Sequence, residues 1–116
     1  MKIMSFNTQH CLNYIERKID FPLMARVIRE SGAEIVGLNE MRGQGDVAEY
    51  TDQTGQLANL GDFKYCYFAK AIDVGGKNAP YGNSILSKYE FEDVRTILVP
   101  DPEIKAENKY YETRCL

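Results

Sequence analysis

The feature that most constrains this chain is a change of hydrophobic period within residues 2–40. Lys2-Ile3-Met4-Ser5-Phe6-Asn7-Thr8 alternates as a half-buried strand does. From Phe21 to Ser31 the spacing turns helical, with Met24, Val27 and Ile28 recurring on one face and Phe21 and Ala25 flanking it. Asp20 is placed to cap that helix, Pro22 is tolerated in its first turn, and Gly32 stands at the C′ stop. Ala33-Glu34-Ile35-Val36-Gly37-Leu38-Asn39-Glu40 then reads as a buried strand, bounded by Gly32 and the Gly43-Gln44-Gly45 turn. Strand, helix, strand in that order predicts a right-handed βαβ unit whose two strands are parallel.

Downstream the pattern is mainly that of strands. A polar stretch, Asn13 to Asp20, follows the first strand, and a weaker second helix is expected from Tyr50 to Leu60, with Gly61 ending it. Phe63-Lys64-Tyr65-Cys66-Tyr67-Phe68-Ala69 is aromatic and β-prone, and its rings are expected to pack a sheet face. Gly75-Gly76-Lys77 lacks the spacing of a phosphate-binding P-loop and reads as a hairpin loop before the return strand Tyr81 to Ser87. Asp93 to Val99 and Lys109 to Leu116 are further strand candidates, and Glu90 to Asp93 reads as a solvated turn. The helices can cover only one sheet face. Yet Ile35-Val36-Gly37-Leu38 and Ile85-Leu86 place apolar residues on both. The uncovered inner face is therefore expected to need a partner, either a second copy of the chain or a further half of the domain.

At 116 residues the chain is one domain at most, or part of one. With 14 basic against 17 acidic residues the net charge is −3, which argues against a protein that coats nucleic acid non-specifically. No apolar run approaches the roughly 18 residues of a membrane span. No signal peptide is visible at the start, so a cytoplasmic location is expected. Cys11, Cys66 and Cys115 form no metal-like pair and read as buried, reduced thiols, with a disulfide between two of them as the alternative. His10 is the single histidine and reads as a loop residue near the mouth of a site.

Asn7 and Glu40 each end a predicted parallel strand, at the edge where α/β sheets place their ligands. An amide and a carboxylate oxygen suit a hard divalent cation such as Mg²⁺, although Asn7 in a turn cap and a solvated Glu40 fit the spacing as well. Three segments then carry a resemblance. Ser5-Phe6-Asn7 follows the first strand, Ile35-Val36-Gly37-Leu38-Asn39-Glu40 follows the helix, and Tyr81-Gly82-Asn83-Ser84-Ile85-Leu86-Ser87-Lys88 comes later, in that order. Together they resemble the endonuclease/exonuclease/phosphatase superfamily, which includes deoxyribonuclease I, over the N-terminal half of that family's domain.

The resemblance implies an α/β fold, with a mixed, mostly antiparallel sheet and helices on one face, forming one half of a four-layer α/β/β/α sandwich. Residues 1–116 would be the N-terminal part of a single domain whose second half is absent. It implies a metal-dependent phosphodiester or phosphomonoester hydrolase using Mg²⁺ or Mn²⁺, with Glu40 as principal metal ligand and Asn7 against the metal and the scissile phosphate. Its partner would be a phosphate-ester substrate, nucleic acid among the candidates. Arg42 occupies a place where some family nucleases carry a basic residue, and reads either as a substrate-binding group or as a solvated turn arginine. Asn39 replaces the family's usual Gln. The family's catalytic His, its Asp-x-Asn pair and its terminal Asp-His pair have no counterpart here, so the 116 residues alone are expected to be inactive. A non-catalytic remnant, or a binding module for phosphorylated ligands without turnover, is the alternative.

Overall fold

The structure, a computed structural model, describes residues 1–103, 106–107 and 112–116. The chain runs β1 (Ile3–Asn7), β2 (Leu12–Asn13), β3 (Lys18–Ile19), α1 (Phe21–Ser31), β4 (Ile35–Arg42), α2 (Gln53–Gly61), β5 (Tyr65–Asp73), β6 (Pro80–Ser87), β7 (Leu98–Val99) and β8 (Arg114–Cys115). The main sheet has the order β1-β4-β6-β5; β1 and β4 are parallel, as expected, and the other neighbours are antiparallel. This is the mixed, mostly antiparallel α/β arrangement that the resemblance implied.

Local chemistry explains most boundaries. The Asp20 side chain accepts from Leu23 N at 3.0 Å to open α1, and Gly32 closes it at φ 69° with its N–H on the Arg29 carbonyl. The second helix starts later than its periodicity suggested. Asp52 is its cap, accepting from Gly55 N at 3.0 Å, and Asp62 rather than Gly61 is the left-handed residue that ends it. Around the polar stretch after β1, Leu12–Asn13 and Lys18–Ile19 pair antiparallel. The Asn13 side chain accepts from Ile15 N and Glu16 N and so builds the turn between them.

The core lies on one face of the sheet. Met24, Ala25 and Ile28 of α1 and Leu57 and Ala58 of α2 pack on Val36, Leu38, Met41 and Leu86, with Met4, Phe6 and Phe68 at the margin. Phe68 thus points to the helices, while Tyr65 and Tyr67 lie on the opposite, inner face. The expectation of three buried thiols needs correction. Cys11 and Cys115 are buried, but Cys66 is exposed, because β5 is an edge strand. All three are free.

The inner face is not wholly open, as the sequence suggested. Residues 91–99 and 114–116 form a strap over its β5–β6 side. Phe91 meets Tyr65 edge-on, the Tyr67 hydroxyl bonds Thr96 Oγ1 at 2.8 Å, and Cys115 Sγ donates to the Ala69 carbonyl at 3.2 Å. Of the expected strand only the end pairs: Leu98–Val99 face Arg114–Cys115 and Ile97 exchanges both backbone hydrogen bonds with Leu116, while residues 93–96 stay irregular. Lys109 to Tyr111 of the last expected strand lie outside the described residues. On the β1–β4 side Ile3, Ser5, Asn7 and Asn39 are exposed. Among the described residues, no helix is long and apolar enough to cross a membrane.

Candidate functional site

Asn7 stands beside Asn39 where β1 and β4 end together. Just past that point β4 takes in one extra residue: Leu38 faces Ser84 but Met41 faces Gly82, three steps on β4 against two on β6. Leu38 and Met41 both remain fully buried on the helix side. The bulge therefore turns Asn39 and Glu40 together towards the inner face. There they line a cleft of about 380 Å³ with Asn7, Tyr81, Asn83, Glu112 and Arg114. Glu40 sits at φ 57°, a left-handed conformation that costs an L-residue about 1–2 kcal/mol. Strain of this kind clusters where structure serves function.

A second bulge faces the first across β6. Lys70 faces Gly82 while Ile72 faces Tyr81. Gly82 is the common point, and only glycine fits, because a Cβ there would stand 1.9 Å from the Ala69 carbonyl oxygen.

The side chains converge as follows. Asn7 Nδ2 donates to Glu40 Oε1 at 2.9 Å, while Asn7 Oδ1 accepts from Gln9 N at 3.0 Å. The structure thus brings the two predicted site residues together, with Asn7 presenting its N–H₂ to the carboxylate. Behind them Gln9, His10 and Cys11 form a tight turn, all at positive φ. His10 N donates to the Glu40 carbonyl at 2.6 Å, and Thr8, nearly fully buried, donates both N and Oγ1 to the Asn39 carbonyl.

His10 is half-buried, its ring edge-on to the Tyr50 ring at 5.8 Å. Its burial, and then the Arg42 cation, hold its pKa below the usual imidazole value against the opposing pull of Glu40 and Glu49. Burial pushes the Tyr81 phenol up, helped by the Glu40 and Glu112 carboxylates.

Arg42 is not a solvated turn arginine. It is 7% exposed, its guanidinium lies between the rings of Tyr50 and Tyr81 at 4.3 and 4.9 Å, and Nη1 donates to the carbonyls of Val74 and Ala79. Among the described residues, its buried Nε has no hydrogen-bond partner. This geometry ties the β5–β6 loop to the end of β4.

Gln53 and Glu112 escaped the sequence reading. Gln53 is fully buried at the start of α2, where a polar residue normally signals only a helix end. Glu112 brings a second carboxylate to the cleft from a segment whose pattern read simply as strand. Among the described residues no three His, Cys, Asp or Glu side chains gather as a metal cage. The donor chemistry still fits Mg²⁺, which is held by one or two carboxylates and keeps several waters. Asn7 takes one of the two Glu40 oxygens and steadies the group.

The fold has a solved counterpart. The crystal structure of an endonuclease/exonuclease/phosphatase from Beutenbergia cavernae DSM 12333 superimposes with a TM-score of 0.69 at 25% sequence identity, over 86% of this chain and 28% of that one. The likeness agrees with the superfamily resemblance carried by the three motifs. The chain thus spans little more than a quarter of its structural counterpart. No protein-family profile matches the sequence, and no curated protein matches it.

Proposed function

We propose that this chain carries the cation-holding arm of a metal-dependent phosphoester hydrolase site. The reading rests on one observation: Glu40, turned into the cleft by a strained bulge, is held by Asn7 at 2.9 Å. Glu40 would hold a Mg²⁺ or Mn²⁺ ion with waters, and Asn7 would fix the carboxylate. When bound, such an ion withdraws charge from phosphate oxygens. The chain's own residues orient the carboxylate and shape the cleft. Arg42, its guanidinium engaged with Val74 and Ala79, would act on substrate by holding the β5–β6 loop in place.

Binding of a phosphorylated ligand without turnover is the second reading. It is favoured by the position of His10, whose ring packs on Tyr50 and does not line the cleft. Both readings require Glu40 to hold a cation. Mn²⁺ titration should broaden the Asn7 side-chain amide signals in wild type and at least tenfold less in Glu40→Ala. Equal broadening in the two proteins would refute the assignment.

The exposed β1–β4 side of the inner face is the proposed seat of a second copy of the chain or of a further half of the domain. Sedimentation at low micromolar concentration separates these, since only the former predicts a dimer.

A further inference from the structure

We propose that Gln53 is the positioning residue that sets Glu40, by clamping the turn after β1 to the end of β4. The proposal rests on the reading of Glu40 as the cation-holding group. Gln53 Nε2 donates to the His10 carbonyl at 2.8 Å, and Gln53 Oε1 accepts from Arg42 N at 2.9 Å. His10 N in turn donates to the Glu40 carbonyl at 2.6 Å. The ring of contacts closes from Gln53 through His10 and Glu40 to Arg42 and back, with Glu40 inside it.

Both backbone segments in this ring are disfavoured for L-residues: Gln9, His10 and Cys11 on one side, Glu40 on the other. Such conformations persist only where the surroundings over-determine them. A buried carboxamide does so here because its two ends are not interchangeable. The Arg42 N–H can only donate and the His10 carbonyl can only accept, so rotating the amide would leave both unsatisfied in the interior. The helix carrying Gln53 is itself anchored, by Leu57 and Ala58 in the core and by the Thr54 to Ser84 hydroxyl contact of 2.6 Å. The turn then fixes Asn7 through Gln9 N, and Asn7 fixes the Glu40 carboxylate. Gln53 touches neither cation nor substrate in this account; it acts through the backbone.

The test is native-state hydrogen exchange on the full chain, comparing the His10 amide with that of Ile28 in the middle of α1. In Gln53→Met, which keeps the bulk and loses both bonds, the His10 amide should exchange at least tenfold faster relative to Ile28. Ser84→Ala, which removes a buried hydrogen bond of the same helix away from the turn, should leave that ratio within twofold of wild type. An unchanged ratio in Gln53→Met, or an equal change in both variants, would overturn the clamp. Gln53→Glu keeps the acceptor for Arg42 N and loses only the donor to His10. It gives the same readout if Gln53→Met does not fold. Mn²⁺ broadening at Asn7 should also fall at least fivefold in the Gln53 variant that folds. If the exchange ratio shifts while wild type shows no Mn²⁺ broadening, the clamp stands and the cation reading of Glu40 falls.

Discussion

The two sides of the inner sheet face are built from similar strands and finished differently. On the β5–β6 side, Tyr65, Tyr67 and Ala69 are met by Phe91, Thr96 and Cys115, so the chain covers its own sheet. On the β1–β4 side, Ser5, Asn7 and Asn39 are exposed, and Asn7 bonds the Glu40 carboxylate. The covered side uses burial to hold the strap. The open side holds a carboxylate in an unfavourable backbone conformation. Cover and backbone strain are thus divided across β6, and Gly82, where both neighbours bulge, is the seam.

The seam offers the largest test of that division. Gly82→Val would drive a branched side chain into the Ala69 carbonyl, a backbone group that cannot swing aside. We expect a loss on the order of 3 kcal/mol or more in urea unfolding, beyond an ordinary overpacked core site. A loss below 1 kcal/mol would mean that the strands part easily at this point and that the two bulges are independent.

Glu40→Gly sharpens the comparison from the open side. Glycine adopts positive φ without penalty, so this variant should gain about 1 kcal/mol of stability while losing Mn²⁺ binding. The same substitution at a residue held only by packing would destabilise. A measured loss of stability would show that the carboxylate contributes more through Asn7 than its backbone costs.

The smallest expected effect is a pH dependence. The folded pKa of His10 lies below its unfolded value, mainly through burial. Between the two values the unfolded chain binds the proton and the native chain does not, so stability rises with pH across that window. The contribution is complete above about pH 6.5 and is lost as pH falls through the folded value. Chemical denaturation from pH 7.5 to 5 should show the decline in wild type and a shallower one in His10→Asn. Parallel curves would place the relevant titration elsewhere.

Much of this was legible in the residues because local rules carried it. Asp20, Pro22 and Gly32 framed α1, and the switch from alternating to helical spacing gave the parallel β1–β4 pair with Asn7 and Glu40 at its end. The bulge was not legible. Nothing in Leu38-Asn39-Glu40-Met41 announces an extra residue, since it exists only against the register of β6. Gln53 and the burial of Arg42 were hidden for a related reason: each satisfies polar groups supplied by distant segments, Val74, Ala79 and His10 among them. Residues 93–96 depart from the expected strand where Phe91 and Thr96 anchor this segment on the sheet beneath.

The uneven placement of the three thiols also determines how the protein can be handled. Cys11 lies fully buried with its pKa pushed up to about 12, and Cys115 is buried on the underside of the strap, against the Ala69 carbonyl. Cys66 alone is open on the edge strand, and its raised pKa makes it slow rather than inert. A native sample treated with a maleimide at mildly alkaline pH should therefore take up one fluorophore, on β5. The dye becomes a single-position reporter of anything that approaches that edge of the sheet, and labelling of a second thiol marks the moment the strap lifts.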